Sequence, residues 1–239
     1  MTNSGASTAA ESGVIAARKQ ALHPHVFWLF GLIVGLGIRE ALIDVAPALT
    51  FDEEYHTQPQ PLHVLRLCLY IAACFRFYLG GVRYFLAVHD KKPADIADQR
   101  WFVVDVGSGL AHYILFFIWG TTLLRGPSFI LDLPWYMVGL FTVLLYDVLW
   151  YLLSVGRPGV KDQIGYWAFV NSVTCSFVLL LWLLIPDGGW REVIALLPAA
   201  AITLIDVHDN LSDDMMLPKF FRSITPALPD PQRPESDES

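Results

Sequence analysis

Residues 76–83 read RFYLGGVR, and they place Arg76 and Arg83 between apolar flanks, LRLCLYIAACF before and YFLAV after. A guanidinium in hydrocarbon is costly, so these two side chains must turn toward protein or the stretch cannot cross a bilayer. On a helix, seven residues make nearly two turns, and Arg76 and Arg83 therefore share a face. Gly80 and the small pair Ala72-Ala73 lie on or near it. Small residues let a neighbouring helix approach closely, so this face is expected to pack inside a helical bundle.

The rest of the chain is consistent with that reading. Of its 239 residues 54% are hydrophobic and 16% are charged, against about 25% charged in a soluble domain. The deficit lies in long apolar blocks, which a membrane-spanning helix of about 20 residues requires. Six such blocks are expected: 25–42, 62–88, 101–124, 131–155, 164–185 and 190–207. Short connections with breakers separate most of them, among them HDKKPADIADQR, RGPS, GRPGVKDQ and PDGG. No internal repeat supports an inverted-repeat transporter. In the first block Gly31 and Gly35 have the GxxxG spacing of close helix contacts. That block is read as a retained helix rather than a signal peptide cleaved at Ala46-Pro47-Ala48.

Lysine and arginine set the expected orientation. With both termini in the cytoplasm, that side holds Arg18, Lys19, Lys91, Lys92, Arg100, Arg157, Lys161, Lys219, Arg222 and Arg233, while the opposite side holds Arg125 and Arg191. Arg39, Arg66, Arg76 and Arg83 fall within spans. Trp101, Trp135 and Trp190 sit near span ends, as an aromatic belt would place them. The net charge of −7 comes largely from loops and the C-terminal LPDPQRPESDES, and implies no basic or nucleic-acid partner.

Spans two to six each carry one polar stripe. The third aligns Asp105, Ser108, Gly109 and His112; the fourth Asp147, Trp150, Tyr151 and Ser154; the fifth Trp167, Asn171, Thr174 and Cys175. The sixth, kinkable at Pro198, ends in Asp206, Asp209 and Asn210. By helical rise, Asp105 and Asp206 lie about 6 Å from the cytoplasmic edge, Asp147 and Asn171 about 10 Å, Arg83 about 5 Å and Arg76 about 15 Å. Arg76, Arg83, Asp105, His112, Asp147, Asn171 and Asp206 are thus expected to form one polar layer in the cytoplasmic third, where opposite charges neutralise one another. Such a layer can fix which helix sits beside which, line a path for a small polar solute or ion, or host proton chemistry, with His112 beside Asp105 as the candidate shuttle. Arg39-Glu40 reads as a local pair near the outer headgroups.

The sequence contains no HExxH, GxSxG, GxxxxGK[ST] or GxGxxG, and its histidines lack metal-ligand spacing. Cys68, Cys74 and Cys175 lie in apolar blocks, which suits core-packing thiols rather than a disulfide framework. One local pattern stands apart: DVHDNLSD places Asp206, Asp209 and Asp213 where carboxylates can hold Mg²⁺ and a diphosphate. Its spacing resembles the first aspartate-rich motif of membrane prenyltransferases of the UbiA type. That resemblance covers about eight residues, lacks the asparagine usual before the motif and has no second such motif beside it. It implies Mg²⁺-dependent chemistry on an isoprenoid or lipid substrate; otherwise no cofactor is expected, and the acidic cluster caps the last helix.

The expected protein is therefore an all-α, polytopic membrane protein with six spans over 25–211. A flexible N-terminal tail, 1–24, and a Pro- and acid-rich C-terminal tail, 212–239, would both be cytoplasmic, with MMLPKFFRSI lying along the inner leaflet. A bacterial-type inner membrane suits it. Expected partners are the bilayer, a small polar solute or ion, and a membrane-protein partner or second copy. The alternatives are a structural subunit with a purely architectural layer and a Mg²⁺-dependent lipid enzyme.

Overall fold

A computed structural model describes residues 4–49, 61–89, 96–154 and 161–212, and the side chains within 24–46, 61–85, 88–89, 100–154 and 164–208. These residues form six helices: α1 (Ser4–Leu49), α2 (Pro61–His89), α3 (Ile96–Gly120), α4 (Trp135–Leu153), α5 (Lys161–Leu184) and α6 (Arg191–Ser212). Five contain stretches long and apolar enough to cross a membrane: Pro24–Ala46, Pro61–Phe85, Arg100–Gly120, Trp135–Leu153 and Ile164–Leu184. The sixth falls outside that set: Arg191 and Glu192 at one end and Asp206 at the other confine its uncharged run to 193–205.

The burial pattern is inverted relative to a soluble protein. Arg76, Asp105, Asp147 and Asn171 are buried, while Val103, Phe169 and Leu204 are each more than half exposed. Apolar surface facing outward around a polar interior is what a lipid solvent selects, because a charge facing hydrocarbon is the costlier error. The molecule has the makeup of a multi-pass membrane protein.

Contacts close the helices into a ring, α1–α2–α6–α5–α4–α3 and back to α1, with α2 also touching α3. The helices reach these places by their stripes. On α4 the buried residues Tyr136, Met137, Leu140, Val143, Leu144, Asp147 and Trp150 recur every three or four positions, one face of a 3.6-residue helix. On α6 the same spacing buries Glu192, Ala195, Leu196, Ala199, Thr203 and Asp206. By contrast, α1 faces its neighbours with Phe30, Val34, Ala41 and Val45. Among its described side chains these contacts are apolar, and its Arg39–Glu40 ion pair is exposed.

Several sequence expectations change. The stretch read as an N-terminal tail belongs to α1 from Ser4 onward; its alanines favour helix even without an amphipathic stripe. The fourth span begins at Trp135 rather than residue 131, because Leu131 and Asp132 adopt positive φ in the turn that closes the α3–α4 hairpin. The close approach on α1 is at Gly37, not at the Gly31/Gly35 pair: a Cβ at Gly37 would meet the Tyr70 hydroxyl at 2.5 Å, whereas Gly35 has nothing near it. Cys74 and Cys175 are buried, but Cys68 is exposed and packs no core. Asp213, the C-terminal tail and the acidic loop at 50–60 lie outside the described residues, as does the Asp209 side chain.

Candidate functional site

Each of the five helices α2 to α6 contributes one side chain to a buried network. Arg76 on α2 is its hub, donating from Nε to Asp206 Oδ2 of α6 at 2.6 Å and from Nη2 to Asn171 Oδ1 of α5 at 2.8 Å. Asn171 then donates through Nδ2 to Asp147 Oδ2 of α4 at 2.6 Å. On the far side of that carboxylate, Oδ1 lies 3.6 Å from Nδ1 of His112 on α3. His112 Nε2 meets the Val143 carbonyl at 3.0 Å. A carbonyl only accepts, so Nε2 carries a proton and, in the neutral ring, Nδ1 is bare toward Asp147.

Local sequence explains the convergence. Gly80, one turn beyond Arg76, leaves room for the Trp167 ring, whose Cη2 would be 2.7 Å from a Cβ there. The Trp167 side chain thus reaches from α5 to α2, and Asn171, one turn further along α5, meets the arginine. The Phe77 ring lies 5.0 Å from Arg76 Cζ and 5.0 Å from the His112 ring, so it walls the network from the α3 side. Hydroxyls on the same stripes do not join in: Thr174 and Ser172 bond back to carbonyls of their own helix, the usual fate of such side chains within helices.

Two further polar clusters bracket this one along α2. Near the C-terminal end of α2, Asp105 accepts from Tyr84 Oη at 3.0 Å and from the Trp150 indole at 3.4 Å, and pairs with His89 Nε2 at 2.8 Å. Near the N-terminal end of α2, Arg66 grips Glu192 with Nε at 2.5 Å and Nη2 at 2.6 Å, while its Nη1 holds the Leu123 carbonyl at 2.6 Å. Two parallel bonds of this kind make the strongest form of guanidinium–carboxylate contact.

The expected single layer is thus two clusters and a clamp. Arg76, His112, Asp147, Asn171 and Asp206 come together. Asp105 does not join them, and it pairs with His89 rather than lying beside His112. Arg83 is half-buried and takes no part in the bonds that link Arg76, Asn171, Asp147 and Asp206. Asp206 turns inward to Arg76, which commits that carboxylate of the Asp206/Asp209/Asp213 motif to an ion pair. Among the described residues no group of three or more His, Cys, Asp or Glu side chains is placed to share a metal ion.

Two cavities of about 10 Å³ each adjoin the network. One is lined by His112, Tyr113, Asp147, Trp150 and Trp167, among others; the second by Arg76, Phe77, Asp147, Trp167 and Asp206. Each is about large enough for one water. No protein-family model, curated protein or solved structure matches this chain. Its functional reading rests on the network itself.

Proposed function

We propose that this chain is an inner-membrane protein, with both termini cytoplasmic, whose buried network binds and passes a small ion. The supporting observation is that four helices each commit one polar side chain to a hydrogen-bonded chain, Asp206–Arg76–Asn171–Asp147, with His112 of a fifth helix 3.6 Å from its end. Intramembrane ionisable groups are by default candidates for ion and proton routes. Water-sized cavities favour an ion over the larger polar solutes that the sequence also allowed. The lysine and arginine excess on one set of connections supports the orientation.

Flux across liposomes containing the purified protein, driven by an imposed membrane potential and read by an ion-sensitive dye, tests this. Wild-type liposomes are expected to exceed empty ones, and Asn171→Ala, which cuts the chain between Arg76 and Asp147, to lower flux by about an order of magnitude. Wild-type flux equal to that of empty liposomes overturns the proposal. A second reading, that the network is architectural, draws on two of the three α2 arginines, Arg66 and Arg76, being ion-paired to α6, the helix outside the five that are long and apolar enough to cross a membrane. In that case Asn171→Ala lowers thermal stability in detergent and no variant shows flux.

A further inference from the structure

The network holds one more acidic group than its arginine can balance. Arg76 supplies one positive charge, Asp206 pairs with it directly, and Asp147 reaches it only through the neutral amide of Asn171. The groups facing Asp147 can be named helix by helix. From α2 comes Arg76; from α3, His112 and Tyr113; from α5, Asn171, with Cys175 one turn further on; from α6, Asp206; Tyr146 is its neighbour on α4. None but Arg76 is a fixed cation. An uncompensated carboxylate in an apolar interior takes up a proton rather than stay charged.

Both cavities open onto Asp147. In the second, Arg76 Nη1 is fully buried and has no hydrogen-bond partner, in a side chain only 4% exposed. Arg76, Asp147 and Asp206 line this space of about 10 Å³, which gives it the two to four polar partners that hold a single water in place. In the first, the bare Nδ1 of His112 faces the same carboxyl from the other side.

We propose that Asp147 is a proton-binding carboxyl. It exchanges its proton with one water held by Arg76 Nη1 and Asp206 on one side, and with His112 Nδ1 on the other. In the transfer, the proton on Asp147 Oδ1 moves to His112 Nδ1, giving carboxylate and imidazolium; the return step regenerates acid and neutral ring. On the Arg76 side, a carboxylate left by loss of the proton is reprotonated by the water acting as hydronium, whose O–H bond breaks as the Asp147 O–H bond forms, leaving neutral water; the reverse step releases the proton. This names the cargo of the ion route proposed above and rests on that reading only for its physiological purpose.

Infrared difference spectroscopy of the full chain in nanodiscs, stepped between neutral and alkaline pH, tests the site. The expected result is a protonated-carboxyl C=O band that downshifts in D₂O, is lost in Asp147→Asn and persists in Asp206→Asn. His112→Phe, which deletes the acceptor, is expected to move the band to higher frequency. Should Asp147→Asn fail to assemble, Asp147→Glu keeps the carboxyl, and a displaced band assigns it equally well. A band indifferent to residue 147, or no band in the wild type, overturns the proposal. Flux is scored separately: flux without an Asp147 band retains the ion route and removes this site from it. The band without flux supports the proton site and removes the route.

Discussion

Glu192 offers the sharpest stability test of the bundle. Its carboxylate meets Arg66 through two bonds, and the two side chains are only 11% and 9% exposed. Glu192→Gln preserves size but removes the charge, leaving a buried guanidinium with a neutral amide and the Leu123 carbonyl. Breaking a buried pair from one side costs about 3–5 kcal/mol, and because the glutamine oxygen still accepts one bond, the loss is expected near the lower end, about 3 kcal/mol. For a chain of this size that is a fall of about 6–12 °C in apparent Tm, or roughly a 150-fold shift in the unfolding equilibrium. The assay is intrinsic tryptophan fluorescence during heating in a mild detergent. Arg66→Met/Glu192→Met removes both charges and is expected to melt above Glu192→Gln, though below wild type because the Leu123 carbonyl loses its donor. A Glu192→Gln melt within about 2 °C of wild type, or a double variant less stable than the single, refutes the view that an unpaired charge is what is being measured.

Other expectations are simpler to check. Gly80→Val drives a branched side chain into the Trp167 ring and is expected to cost about 1–3 kcal/mol in the same melt. Asp105→Asn takes the negative charge from beneath His89 and Tyr84, with an expected loss of about 1–3 kcal/mol; an unchanged melting temperature would mark that cluster as dispensable. For orientation, a fluorescent-protein fusion at the C-terminus is expected to glow and a phosphatase fusion there to be inactive; the opposite pair of results reverses the topology.

Much of the interior was legible because lipid leaves few alternatives. Arg76 inside an apolar block had to face protein, and the three-to-four-residue recurrence of Asp147 with Trp150, or Asn171 with Thr174, fixed which side of each helix turned inward. What the sequence withheld was partnership. Depth counted along a helix axis ignores the reach of an arginine: Arg66 and Arg76 are about 15 Å apart along α2, while their partners Glu192 and Asp206 are about 21 Å apart along α6, and flexible side chains absorb the difference. The acid at Glu192 had rivals at Glu40 and Asp44 near the same level, so spacing alone could not choose it. His89 sat among the charged residues of a connection, and nothing local distinguished a buried helix-terminal imidazole from an interfacial one. The continuation of α1 to Ser4 was hidden for another reason: propensity without periodicity says helix only weakly.

The two clamps between α2 and α6 join residues 126 and 130 positions apart, and that separation has a consequence during biosynthesis. At about 5–20 residues per second, each arginine leaves the ribosome on the order of ten seconds before its acid exists. Throughout that interval the second helix cannot be handed to lipid on its own terms. The insertion machinery, or the growing cluster of earlier helices, must shelter two guanidiniums until the final helix arrives to release them.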